Sequence, residues 1–214
     1  MIHAYDKTYL GKARVSLGRL LDFAVYYLQV DLRTFWLMFL DTDICRRFEQ
    51  GDPSVLAGMS GVEMAYAVVG DNGERLQPLP SVERSEEYWL GWAIGYYQWE
   101  TGLPFKDLFD PDEIEQIKAL YHPYHEMDIR HFCNVMNERY LSRHRLTNLK
   151  QIREKANMSQ SQLARDSEVP VRTIQQYEQR QKNINSARAE YVIKLAKALC
   201  CKPEDLIERV LPAD

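Results

Sequence analysis

Long hydrophobic runs are missing from this chain of 214 residues. The most apolar stretch, Leu32–Leu40, is interrupted by Arg33 and closed by Asp41 and Asp43. It is too short to cross a bilayer, so no membrane partner is expected. The N-terminal segment MIHAYDKTYLGKAR lacks the apolar core and small-residue cleavage site of a secretory signal. The expected location is therefore cytoplasmic. Paired cysteines are missing too. Cys45, Cys133, Cys200 and Cys201 form no CxxC motif and read as small buried hydrophobes of a reducing compartment. There is no GxSxG, no phosphate-binding loop and no dinucleotide fingerprint, which removes the commonest hydrolase and nucleotide chemistries. The cluster His122, His125, Glu126, Asp128 and His131 has a metal-like composition but neither HExxH nor another rigid ligand spacing. It reads as a polar loop and helix cap. No catalytic residues, no metal and no cofactor are expected.

Period-two alternation is nearly absent, while apolar spacings of three and four recur throughout, which predicts an all-α protein. Leu17, Leu20, Leu21, Ala24, Val25 and Leu28 share one face of a helix over about 8–28. Asp31 can cap a second helix carrying Leu32, Phe35, Trp36 and Phe39. A third, short helix holds Ile44 and Phe48 before Gly51-Asp52-Pro53 breaks the chain. Ser60 and Glu63 have the spacing of a capping box opening a helix to about Gly70. Asp71-Asn72-Gly73 and Gln77–Ser81 form the clearest non-helical connection. A long helix follows over about 83–101, with Trp89, Trp92, Tyr96 and Trp99 at helical spacing. That stripe reads mainly as core, although aromatic residues on both sides leave room for an interface. Pro111-Asp112-Glu113 opens another helix, and one more is predicted over 127–141.

Charge divides the chain. Residues 1–145 hold 15 Lys and Arg against 22 Asp and Glu, a net of −7. Residues 146–214 hold 12 against 9, a net of +3. An acidic body with a basic end fits a nucleic-acid-binding module joined to another domain. The expected organisation is an acidic, aromatic-rich helical domain over 1–142 and a second domain over 146–214.

The second region has the pattern of two short helices meeting at a corner. Leu149, Ile152 and Arg153 start an amphipathic helix, and Ser159 caps the next, which buries Leu163 and Ala164. Ser167-Glu168-Val169 makes the turn with Val169 inward. A third helix over about 170–179 has only Val171 or Thr173, Ile174 and Tyr177 for the core. Arg172, Gln175, Gln176 and Gln179 are left on a polar face. A fourth helix spans about 187–199, and Pro203 starts a fifth. The segments Leu149-Lys150-Gln151-Ile152-Arg153, Met158 to Ala164, Val169, Arg172 to Glu178, Leu195 to Cys201 and Glu204-Asp205-Leu206-Ile207 resemble the Cro/lambda-repressor type of helix-turn-helix, the XRE family, in register across five helices. Two departures stand out. Asp166-Ser167-Glu168 replaces the usual glycine-containing turn, and Pro170 replaces the serine that often caps the recognition helix.

The resemblance implies sequence-specific binding of double-stranded operator DNA by a homodimeric regulator of transcription, in first place a repressor. It implies that Gln160 touches phosphate and braces the recognition helix. Val171, Arg172, Thr173, Gln175 and Gln176 would lie against the major groove. Arg can pair with guanine, Gln with adenine, and valine suits the thymine methyl. Arg180, Lys182 and Asn183 would hold the DNA backbone. Glu178 is expected to pair with Arg153 instead of facing DNA. The order of the domains, a helical region joined to this module, is similar to that of family members that are antitoxins of toxin–antitoxin operons, in which such a region binds a cognate toxin. A repressor without a toxin, a protein-interaction adaptor that does not bind DNA, and an enzyme carrying a regulatory DNA-binding domain are the alternatives.

Overall fold

A computed structural model describes residues 3–70 and 84–210. Among these residues every regular element is helical. The chain divides into two compact units, Met1–Met136 and Asn137–Asp214. The connection expected at Asp71–Ser81 and the predicted start of the long helix at Glu83 lie outside the described residues.

The first unit contains α1 (Lys7–Tyr26), α2 (Leu32–Leu40), α3 (Asp43–Glu49), α4 (Pro53–Leu56), α5 (Gly61–Val69) and α6 (Glu86–Thr101). It continues with α7 (Phe105–Leu108), α8 (Ile114–Lys118), the short α9 (Tyr121–Tyr124) and the start of α10 (Ile129–Arg143). Most of these helices begin at a side-chain cap. Asp6, Asp31, Thr42, Asp52 and Ser85 each accept a backbone N–H of the first turn. Ser60 and Glu63 form the full capping box. Such caps satisfy donors that have no partner inside the helix.

α1 is the central element and packs against α6 and α5. The α1–α6 approach is set by glycine. A Cβ on Gly91 would stand 2.4 Å from the Leu17 carbonyl oxygen, and one on Gly18 would stand 2.7 Å from that of Tyr88. Beside this seam lies an aromatic core. Trp36 is fully buried, with ring centroids 5.4 Å from Phe105 and 5.5 Å from Phe39. Of the aromatic stripe on α6, Trp89 and Trp99 are buried, while Trp92 and Tyr96 are half-buried and carry a cation. The Arg14 guanidinium carbon sits 3.2 Å from the Trp92 ring centroid and 4.8 Å from that of Tyr96. Burial lowers the Arg14 pKa to about 10. The stripe is thus mainly core, with its outer edge covered by a cation–π stack.

The division between the units falls within α10. The second unit then contains α11 (Asn148–Lys155), α12 (Gln160–Ser167), α13 (Val171–Glu178) and α14 (Ala189–Ala198). The expected fifth helix is a 3-10 turn, Pro203–Leu206. Leu149, Leu163, Val169, Ile174, Tyr177, Ile184, Val192, Leu195, Leu199 and Leu206 form one continuous core. Among the described residues, no helix is long and apolar enough to cross a membrane, and no group of three or more His, Cys, Asp or Glu is arranged to hold a metal ion. His125 instead stacks on Tyr121 with ring centroids 4.0 Å apart.

Candidate nucleic-acid interface

α12 and α13 meet at a corner that the sequence determines locally. Ser159 accepts the Gln162 N–H while the Gln162 side chain accepts the Ser159 N–H, so α12 opens with a reciprocal box. It ends at Glu168, which adopts the left-handed conformation at φ 55°. This is the position where glycine would be free of Cβ strain. The Ser167 hydroxyl donates to the Leu163 carbonyl at 2.6 Å, and Val169 turns into the core. Pro170 precedes α13 and supplies no side-chain cap. Its fixed φ suits a helix start, so α13 forms without the hydroxyl. Lys194 of α14 reaches the Glu168 carboxylate at 3.0 Å and ties the corner to the domain.

α13 divides cleanly into two faces. Ile174 and Tyr177 enter the core. Val171 is 39% exposed, a large apolar side chain left at the surface, and Arg172 is exposed beside it. Thr173, Gln175 and Gln176 are half-buried. Arg172 and the exposed Lys182 make no ion pair among the described residues.

Behind this surface lies a polar chain linking three helices. Arg153 on α11 donates to both oxygens of Glu178 on α13, from Nε at 2.6 Å and from Nη2 at 3.0 Å. Both residues are buried, and the hydrogen bonds that the Arg153 guanidinium donates to Glu178 hold it charged beyond its usual range. Arg153 Nη1 also donates to the Met158 carbonyl at 2.7 Å. Gln160 then donates from Nε2 to Glu178 at 2.7 Å and accepts from Gln175 Nε2 at 3.4 Å. The pair Arg153–Glu178 was expected. The link onward from Gln160 to Gln175 positions the polar face of α13 through α12. Buried forks of this kind are strongly directional, so they restrict rotation of α13.

Arg180 departs from its expected role as a DNA-backbone contact. It donates from Nη1 to the Arg145 carbonyl at 2.9 Å, and from Nη2 to the His144 and Leu146 carbonyls at 3.1 and 3.4 Å. The Glu208 carboxylate stands 3.8 Å away. Burial raises the Glu208 pKa, and its carboxylate accepts the Asn148 N–H at 2.6 Å. Asn183 is exposed, and its Oδ1 caps the 3-10 turn Ile184–Ser186 by accepting the Asn185 N–H. Asn185 and Glu208 exchange two further hydrogen bonds. No signal in the sequence pointed to this clasp, because its members are joined only by tertiary packing.

Two short capped helices, a corner closed by a buried valine, and a second helix whose outer face carries no core residue define a helix-turn-helix DNA-binding domain. Residues 149–206 match the family model described as Helix-turn-helix, and this part of the chain is a Cro/C1-type domain of the XRE family. The protein is accordingly a DNA-binding regulator of transcription. No curated protein and no solved structure matches the chain.

Proposed function

We propose that the protein is a repressor that binds a twofold operator as a homodimer. Val171, Arg172, Thr173, Gln175 and Gln176 read the major groove. Gln160 contacts phosphate while bracing Gln175, and Lys182 and Asn183 hold the backbone. The carrying observation is the exposed face of α13 braced from behind by Arg153, Glu178 and Gln160. A single short helix reads only a few base pairs, so two copies on related half-sites supply the affinity a regulator needs. In this reading the acidic first unit is a binding body, not a catalytic one, in a cytoplasmic protein. The order of the two regions supports an antitoxin whose body holds a co-encoded toxin.

Selection of duplexes from a randomised pool by the full-length chain tests the reading. The expected result is an enriched sequence with twofold symmetry and two chains bound per duplex. Arg172→Ala should then cost about 1–3 kcal/mol on the selected duplex and relax the preference at one position of each half-site. Equal loss on selected and scrambled duplexes would remove Arg172 from base reading. Co-expression with the product of the adjacent gene tests the antitoxin reading. A stable complex and relief of that product's toxicity are expected.

A further inference from the structure

We infer that the DNA interface extends beyond the matched residues 149–206 to Arg145, which supplies a phosphate contact, and that Arg180 is the positioning residue that holds Arg145 there. The inference rests on the DNA-binding reading and adds a contact to it.

The recognition helix ends in a motif that asks for glycine. The Gln181 N–H donates to the Gln176 carbonyl at 2.9 Å, and the Arg180 N–H donates to that of Tyr177 at 3.1 Å. This pairing is the Schellman motif, and its left-handed position is occupied by Arg180 at φ 55°. A residue with a Cβ is strained there where glycine would not be. The Arg180 side chain provides the compensation. The side chain is only 21% exposed, and both terminal nitrogens donate to the carbonyls of 144–146. Its Nε is enclosed without a partner. Those carbonyls lie just past the C-terminus of α10, where backbone acceptors lack helical partners. With three of its five N–H groups spent on these carbonyls and its Nε enclosed, this guanidinium is turned to the 144–146 segment and keeps at most one N–H for a phosphate.

The same bonds place a different cation beside the exit turn of α13. The Arg145 backbone is held directly against Arg180, two residues from Lys182, in the segment Arg143-His144-Arg145. The Arg145 side chain is exposed and makes no hydrogen bond or ion pair among the described residues. Arg145 and Lys182 are therefore two solvated cations on adjoining chain segments at one end of the recognition helix. That is the disposition of groups that follow a phosphate backbone.

Salt titrations of the full-length chain on a selected duplex and on its scrambled counterpart separate the possibilities. Arg145→Gln removes one contact from each of the two bound chains, so it should weaken both duplexes alike, roughly sixtyfold at about 0.1 M KCl, and make the slope of log K against log salt shallower by about 1.8. Arg180→Gly removes the clasp while relieving the left-handed backbone, so thermal unfolding should show a folded domain. It should make the slope shallower by the same amount, and the double variant should be no shallower than either single one. An unchanged slope in Arg145→Gln, with Lys182→Ala still lowering it, overturns the inference and leaves the DNA reading intact. A double variant shallower by nearly twice the single step shows that Arg180 contacts phosphate itself, which also overturns it. A wild-type chain that retains neither duplex at low salt overturns the DNA reading and this inference together.

Discussion

In the first unit, α1 and α6 approach until the facing backbone fills the space beside Gly18 and Gly91, and rings pack tilted and edge-on around Trp36. In the second unit the apolar core is smaller in its side chains, and the helices are tied by a polar chain from Arg153 to Gln175. Apolar packing stabilises in proportion to area and shape and tolerates many arrangements of similar volume. A buried ion pair adds little net stability, because desolvation offsets much of the attraction. What it adds is direction. The regulatory unit uses directional bonds where the position of one helix face matters, and the body uses shape where compactness is enough.

The comparison can be broken most sharply at its two centres. Trp36→Ala should destabilise the body by about 3–5 kcal/mol through the cavity it leaves. A calorimetric loss below about 1 kcal/mol would mean that the ring cluster does not hold the unit together. Glu178→Ala should cost a similar amount, about 3–5 kcal/mol, because the Arg153 guanidinium is left buried and unpaired. Joint replacement, Arg153→Met with Glu178→Leu, should restore most of that stability in denaturant unfolding. Affinity for the selected duplex should nevertheless stay below wild type, since Gln160 loses its anchor. Full recovery of both would show that the polar chain serves packing alone.

Smaller effects sharpen the same contrast. Gly91→Ala gains roughly 1 kcal/mol of helix propensity, but its Cβ must displace the backbone of α1, which costs about 1–3 kcal/mol. Net destabilisation is expected in thermal unfolding. Gly11→Ala, on α1 with nothing within 4 Å of the new Cβ, should stabilise instead. Glu168→Gly should change stability least. It relieves a left-handed backbone worth about 1–2 kcal/mol, while glycine's freedom in the unfolded chain and the lost Lys194 pair return much of that. A gain of up to about 0.5 kcal/mol is expected, and a loss above about 1 kcal/mol would show that the corner depends on the Glu168 side chain.

Much of the second unit was legible in the sequence. The Ser159 cap, the inward Val169, the polar face of α13 and the Arg153–Glu178 pair all follow from spacing or from the resemblance to a known family. Helix ends were less exact: the fourth helix begins at Ala189, and the fifth is a 3-10 turn. In the body, helices α1, α2, α3 and α5 were readable, with caps at Asp31 and Ser60, but the caps at Asp6 and Thr42 and the mutual packing were not. The Arg14 stack on Trp92 joins residues 78 apart in the chain, and the Gly91 contact with Leu17 spans a similar separation.

The sequence by itself determined the elements, their caps, the division of charge and the register of the helix-turn-helix. These depend on bonds and spacings within a turn or two of helix, where the chain brings partners together without help. Tertiary structure alone decided that Arg180 turns away from solvent, because its acceptors lie 34 to 36 residues back in the chain. It also decided that Gln160 joins Glu178 to Gln175, and that two glycines mark the α1–α6 seam. Each depends on which segments the folded core brings within hydrogen-bonding or van der Waals reach, and no local spacing encodes that.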